Sequence, residues 1–316
     1  MALSGDRVLY PFSDTVERNW TQVAALDIST GKAQVVAHSA WDAGLVNWVA
    51  GIGDWVGWTD QSERQSDGAA NVLWRVWVQN LRTGQKVLLS SSGDRPDPYV
   101  PVLSGQDGYL FWTQAESDRS ARELVWRPGW KAPRDLLRHV EMTPGSETAS
   151  DGNLVFLSTA AGQHRGHTIG GDCWTVPLDS SENPRPLTHT ALAMGCAASD
   201  SWLVWTLHID PRTKPLPADG VLDDPYEVKA SRLSERDEQL VHRGYLSMGF
   251  PVTGDGFTVL PAGGTSLLVQ SLTSKGRFRL SGGVDQLSMA AGDGELLAYV
   301  TYKGLVSTVH VVHVAG

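Results

Sequence analysis

Gln106-Asp107-Gly108-Tyr109-Leu110-Phe111-Trp112-Thr113 joins a turn dipeptide to an unbroken apolar run. Asp-Gly tolerates the positive φ that a two-residue hairpin needs. The aromatic and aliphatic run behind it suits a buried strand. The chain repeats the combination: Asp54 opens Asp-Trp-Val-Gly-Trp-Thr, Asp151 opens Asp-Gly-Asn-Leu-Val-Phe-Leu-Ser, and Asp200 opens Asp-Ser-Trp-Leu-Val-Trp-Thr. Asp255 and Asp293 open two more copies, and Asp6 opens a weaker one. The spacing averages about 48 residues, a period that belongs to propellers and solenoids.

A second hairpin follows each copy. Val76–Leu81 leads through Arg82-Thr83-Gly84-Gln85 into Lys86–Leu89, and Val269–Leu272 leads through Ser274-Lys275-Gly276 into Arg277–Leu280. One unit is therefore four strands, A to D. In the third unit they fall near Val100–Ser104, Tyr109–Gln114, Glu123–Trp126 and Arg134–Leu137. No stretch carries a sustained 3.6 period, so almost no helix is expected. Four short strands every 48 or so residues predict an all-β fold: a β-propeller of four-stranded blades, seven in number, as a single domain over residues 1–316.

These repeats resemble the TolB-type, WD-like propeller repeat. The Asp-Gly turn, the apolar-aromatic strand, the Thr-Gly turn and the closing Leu-Leu-Ser carry the resemblance. Leu178-Asp179 followed by Pro186-Leu187-Thr188 matches the usual end of that repeat. Ser201 and Arg7 stand where other copies have Gly. The resemblance implies the propeller fold and a binding or scaffold role in the cell envelope or secreted space. Similar repeats form the propellers of prolyl-oligopeptidase-like enzymes.

Seven B and seven C strands are legible, but only six clear A and six clear D strands. Met1–Gly5 leaves little room before the first B strand, and Val309–Val314 reads as a C strand. Propellers normally close by mixing the chain ends in one blade, so natural sequence is expected beyond Met1–Gly316. A trimmed signal or anchor region would fit a secreted or periplasmic protein; a cytoplasmic one is the other option.

Composition narrows the partners. A net charge of −9 argues against nucleic acid, whose phosphates need a basic face. No apolar run is long enough for a transmembrane helix. Cys173 and Cys196 are too few for a disulfide scaffold, yet they fall in adjacent blades on the same side, where one bridge is geometrically possible. Among 13 tryptophans, Trp58, Trp112 and Trp205 share a B-strand position, and Trp77, Trp126 and Trp174 recur in C strands; both sets read as packing between blades. Trp20, Trp41 and Trp130 lie off the periodic positions and read as exposed contacts.

The A–B and C–D turns are short. The B–C and D–A connections on the opposite side are long and varied: Ser13–Thr21, Asp60–Asn71, Gln114–Arg122, Thr159–Gly171 and His208–Pro225. Binding residues concentrate on such loops. Trp41, Asp42, Arg95, Asp97, His139, Arg165, His208 and His242 are the candidate ligand-binding residues there. His164, His167 and His189 are candidate metal ligands, since imidazole suits a divalent ion.

There is no Gly-x-Ser-x-Gly elbow, Cys-x-x-Cys, His-Glu-x-x-His or phosphate loop. The leading expectation is a non-enzymatic module without a cofactor, presenting its loop-rich face to a protein, peptide or glycan. The alternative is a metal-dependent uronate lyase or hydrolase with one divalent ion. Oligogalacturonate lyases combine a seven-bladed propeller with histidine-held metal. In that scheme Arg95, Arg165 or Arg243 would grip the substrate carboxylate.

Overall fold

The computed structural model describes residues 1–316 except 14–19, 43, 64–70, 98, 118–119, 143–144, 160–163, 166–167, 180–182, 200, 210–223, 236, 247–250, 263–265, 275, 282–285, 304–305 and 315–316. It is an all-β propeller of seven blades, each built from consecutive antiparallel strands. Blade 1 holds β1 (Ala2–Ser4), β2 (Arg7–Phe12), β3 (Gln22–Asp27) and β4 (Ala33–His38). Blade 2 holds β5 (Leu45–Ile52), β6 (Trp55–Gln61), β7 (Trp74–Asn80) and β8 (Lys86–Ser91). Blade 3 holds β9 (Val102–Gln106), β10 (Tyr109–Ser117), β11 (Ser120–Trp126) and β12 (Arg134–Val140).

Blade 4 begins with β13 (Thr148–Ser150) and β14 (Asn153–Ser158). A separate small hairpin of β15 (His164–Arg165) and β16 (Thr168–Ile169) precedes its remaining strands, β17 (Asp172–Pro177) and β18 (Arg185–Pro186). Blade 5 holds β19 (Ala193–Ser199), β20 (Trp202–His208), β21 (Asp224–Arg232) and β22 (Gln239–Leu246). Blade 6 holds β23 (Val252–Gly254), β24 (Phe257–Ala262), β25 (Ser266–Ser271) and β26 (Arg277–Ser281). Blade 7 holds β27 (Gln286–Asp293), β28 (Leu296–Lys303) and β29 (Val306–His313), three strands among the described residues. The chain divides into two compact units, Met1–Val140 with blades 1 to 3 and Glu141–Gly316 with blades 4 to 7.

The A–B connections of blades 1 to 4, 6 and 7 are two-residue turns, but the Asp does not keep one place in them. Asp107-Gly108 (φ 56° and 80°) and Asp151-Gly152 (φ 52° and 72°) form the turns of blades 3 and 4. In blades 1 and 2 the turn is Gly5-Asp6 and Gly53-Asp54, and in blade 7 it is Gly294-Glu295. The left-handed backbone, not the carboxylate, is what the hairpin requires.

Counted from that turn, the fourth B residue is Tyr10, Trp58, Trp112, Phe156, Trp205, Leu260 and Tyr299 in blades 1 to 7. Trp58 packs with Leu9, Val23 and Ala25 of blade 1, Trp112 with Ala50 and Val76 of blade 2, and Trp205 with Val155 and Leu157 of blade 4. Each large ring fills the gap to the preceding blade. The C-strand series is less regular. Trp77 lies opposite Trp58 and Trp174 opposite Phe156, but Trp126 lies opposite Leu110, two residues out of step.

Three expectations need correction. Ala2–Ser4 is a true A strand paired to β2, so blade 1 is complete from its own consecutive residues. The third A strand lies at Val102–Gln106, two residues later than read. Gln114–Arg122 is mostly ladder rather than loop, because β10 and β11 stay paired out to Ser117 and Ser120.

Candidate functional site

Blades 2 to 5 carry a charged residue at one register position where the C strand enters the sheet. It is Arg75, Arg122, Asp172 and Glu227, with Gln22, Ser266 and Thr308 at the same position in blades 1, 6 and 7. Two of these residues, Arg75 and Asp172, contact the D–A connection before or after their own blade.

In unit 1 Arg75 of this set meets a tryptophan. Asp60 ends β6 opposite Arg75 and is almost wholly buried. Its Oδ1 accepts from the Ser39 hydroxyl at 2.7 Å and its Oδ2 from the Ala40 N–H at 2.9 Å. Burial pushes its pKa above the usual carboxylate value; those two hydrogen bonds and the charges of Arg75 and Lys86 partly offset this. The next residue, Trp41, places its ring 4.2 Å from the Arg75 guanidinium carbon, a cation–π contact. The Trp41 carbonyl accepts from Gly44 N–H and the Trp20 carbonyl from Val46 N–H. A register shift between Val46 and Val49 breaks the pleat; Trp48 within it is 45% exposed, and Trp20 is 38% exposed. Asn47 donates from Nδ2 to Gln61 Oε1. Trp20 and Trp41 are thus held by their backbones at the start of β5, the strand that carries the exposed Trp48.

In unit 2, Asp172 performs the same holding task. Its Oδ1 accepts from Thr188 Oγ1 at 2.9 Å, Thr190 N–H at 2.6 Å and Ala191 N–H at 3.2 Å. That turn carries Ala191 at φ 50° and leaves His189 between them exposed. Cys173, the next residue along, is bonded to Cys196 with Cα atoms 5.9 Å apart. The bridge joins β17 of blade 4 to β19 of blade 5, and both cysteines are buried. In blade 5, Glu227 accepts from Arg243 Nε at 2.9 Å. His208 meets Tyr226 edge-on with ring centroids 5.8 Å apart. The His242 ring lies over Gly244, where a Cβ would come within 2.7 Å of Nε2. Gly244 pairs with Tyr226, so His208, Tyr226 and His242 line one side of the sheet.

The candidates therefore separate into groups. Trp41 stacks against Arg75, and Asp42, next to it in the chain, is exposed. Asp97 bridges Val72 at the entry to β7, and its Oδ1 accepts from Tyr99 N–H at 2.8 Å. Arg95 is exposed in the turn before it. His208 and His242 share the Tyr226 side of blade 5. His139 lies on β12, and His164 and Arg165 on β15, but their side chains are outside the described residues, as is all of His167. Trp130 packs under Arg127 and Arg134 rather than standing free. The reading of loops missed Asp60, Arg75, Asp172, Glu227 and Trp48. A signal existed for three of them, Arg75, Asp172 and Glu227: each is a charged residue near the start of a C strand, at one register position. Trp48 gave none, because Leu45-Val46-Asn47-Trp48-Val49 reads as an ordinary strand until the register shift is known.

No family model matches the chain, and no curated protein matches it. Solved structures do. The β-propeller domain of the Trilobed protease from Pyrococcus furiosus, described as having an open velcro topology, is similar with a TM-score of 0.66 at 9% identity, covering 100% of this chain and 94% of that one. An oligogalacturonate lyase in complex with manganese gives a TM-score of 0.55 at 12% identity over 87% of this chain and 73% of that one. TolB from Acinetobacter baumannii gives 0.52 at 12% identity over 89% of this chain and 65% of that one. At these identities the likeness is one of fold.

Proposed function

We propose that this chain is a non-enzymatic binding propeller that takes a glycan on the loop side of unit 1, in an oxidising compartment. Trp20 and Trp41, whose backbones bond to the residues at the start of β5, and the exposed Trp48 on that strand carry the reading. Indole faces attract the C–H faces of pyranose rings, and amide or guanidinium neighbours supply hydrogen bonds to hydroxyls. Asn47, Gln61 and Arg75 are such neighbours, and Asp60 anchors the 39–41 connection so that Trp41 arrives in place. A protein or peptide partner is less well matched by exposed indoles set among amides. The Cys173–Cys196 bridge supports a secreted or cell-envelope location, since such bonds persist where thiols are oxidised.

Titration of a panel of neutral and uronate oligosaccharides, followed by tryptophan emission, tests this. Trp48→Ala should weaken the best ligand about 30-fold, the size of a buried aromatic anchor at about 2 kcal/mol. No saturable response to any glycan, or an unchanged affinity in Trp48→Ala, sinks it. Elemental analysis of the same protein tests the metal-dependent lyase or hydrolase alternative. Stoichiometric divalent metal that disappears in His164→Ala/His167→Ala would favour that reading instead.

A further inference from the structure

The hairpins between C and D strands close in one way in blades 1, 2 and 6 and in another in blade 3. The pairs bordering the turn are Leu26 with Ala33, Gln79 with Lys86 and Gln270 with Arg277, each seven residues apart. The next residue is Asp27, Asn80 or Ser271, whose side-chain oxygen accepts from N–H groups of the turn. In blade 3 the bordering pair is Val125 with Arg134, nine residues apart. Trp126 stands in the capping position there, and an indole has no oxygen to offer. It donates instead, from Nε1 to the Trp130 carbonyl at 3.1 Å, and Trp130 N–H donates to the Arg127 carbonyl at 3.1 Å. The longer hairpin, Arg127-Pro128-Gly129-Trp130-Lys131-Ala132-Pro133-Arg134, carries three cations and no acid, in a chain where acidic residues outnumber basic ones 35 to 26. Two prolines stiffen it.

Trp130 anchors the hairpin. It is half-buried and packs against the core that includes Trp112 and Trp126. Tyr109 meets it edge-on, with ring centroids 6.1 Å apart. Two guanidinium groups stand over the Trp130 ring, Arg134 Cζ at 4.0 Å and Arg127 Cζ at 5.1 Å from its centroid. Arg127 is tied further through Nη1, which donates to the Tyr109 hydroxyl at 3.0 Å. Arg127, Lys131 and Arg134 are all exposed. Among the described residues no carboxylate lies within ion-pair distance of any of the three. The arginines at the turns of blades 1 and 2 differ: Arg7 and Arg82 both meet Asp54, at 3.3 and 3.6 Å.

We propose that the Arg127–Arg134 hairpin is a docking site for an acidic peptide segment of a partner protein, with carboxylates at alternate positions. A guanidinium lying on an indole keeps its N–H edge open, and that edge pairs a carboxylate bidentately. Two such groups over one ring can be no further apart than their two distances from its centre taken together. An extended peptide sets side chains i and i+2 on one side about 7 Å apart, so one carboxylate meets Arg127 and the next meets Arg134. Lys131 adds a third positive charge on the same hairpin. The Trp130 ring holds both guanidinium groups before any ligand arrives, which lowers the ordering cost of binding. The hairpin lies at the opposite end of the strands from the Trp41 connection, and the assignment does not rest on the glycan reading.

The test uses the whole chain and a fluorescein-labelled Gly-Ser-Glu-Thr-Glu-Thr-Glu-Ser peptide at low salt. Anisotropy should rise to saturation, and the affinity should fall as salt is added. The same peptide with Gln in place of each Glu should not bind. Arg127→Gln/Arg134→Gln changes two exposed side chains, so it should keep the parent's urea midpoint and weaken binding about tenfold or more. Trp130→Leu removes the ring but no charge, and it should weaken binding about threefold. The assignment is overturned by absence of saturable binding, by equal binding of the Gln peptide, or by unchanged affinity in the arginine variant. Unchanged affinity in Trp130→Leu also overturns it, since the contact would then be diffuse charge rather than a built site. Tighter binding of a sulfated oligosaccharide of equal charge, lost in the arginine variant, would give the hairpin to a glycan instead. A free chain that sediments as a dimer, and as a monomer in the arginine variant, would give it to a second copy.

Discussion

Single polar residues do the local shaping. Asp27 ends β3, and its Oδ1 accepts from Ser29 Oγ at 2.7 Å, Thr30 N–H at 2.8 Å and Thr30 Oγ1 at 2.9 Å, closing the turn onto Gly31 at φ 67°. Asn80 closes the equivalent turn of blade 2 through Arg82 and Thr83 N–H, with Gly84 at φ 73°. The Ser29 and Thr30 hydrogen bonds hold the Asp27 pKa down to about 2. A pKa depressed in the folded state contributes stability that is complete above the unfolded value near 4 and fades as pH falls towards 2. Asp27→Asn keeps a turn that blade 2 already builds with Asn, so at neutral pH its urea midpoint should stay close to that of the parent. Between pH 4 and 2 the parent's midpoint should fall more steeply than the variant's. Parallel curves across that window would show that Asp27 contributes no such dependence.

Elements are spaced by what their residues lack as much as by what they carry. Gly105 in β9 stands where a Cβ would be 2.9 Å from the Gly51 carbonyl oxygen of β5 and 2.9 Å from Leu110 Cδ1's partner methyl, Cδ2. The A strands of blades 2 and 3 approach backbone to backbone there. Gly105→Ala must push them apart and should cost about 1–3 kcal/mol, the usual penalty of overpacking. At Gly276 an added Cβ meets only the Ser274 hydroxyl at 3.2 Å, so Gly276→Ala should lie within about 0.5 kcal/mol of the parent. Denaturant unfolding of both variants checks the contrast; equal midpoints would mean that the β5–β9 approach relaxes freely. The aromatic residues of the B strands are the complement of these glycines, filling the wider gaps between the same blades.

Across the whole molecule, one covalent link joins elements that the sheets leave independent. Among the described residues each blade is made of its own stretch of chain, and no strand passes from one blade to the next. Cys173 and Cys196 lie 23 residues apart and connect blades 4 and 5. A loop of that size implies about 3 kcal/mol of stabilisation in the chain-entropy account. Reduction of the parent, or Cys173→Ala/Cys196→Ala, should lower the unfolding midpoint by a matching amount. The double variant should then be insensitive to reductant. A midpoint in the parent that reductant does not move would show that the bond is absent or without effect.

The propeller was legible because its causes are local and repeated. Turn dipeptides, apolar runs of strand length and Gly-terminated hairpins sit within a few residues of one another, and seven copies average out the irregular ones. Register was partly legible: the aromatic fourth position of the B strand stood out, whereas Trp126 looked equivalent to Trp77 and was not. Ala2–Ser4 was missed because a three-residue strand carries almost no pattern. The binding rim was legible as a set of long connections, but not as a site. Which side chains meet there depends on contacts between residues far apart in the chain: Asp60 with Ser39 and Ala40, Arg75 with Trp41, Asp172 with Thr190, Cys173 with Cys196. The repeat period and the turn chemistry are properties of the sequence alone, since short-range sterics and hydrophobic alternation impose them. The Trp41–Arg75 contact and the exposure of Trp48 exist only in the folded chain, because bulges, pairing partners and burial are decided by where neighbouring strands come to rest.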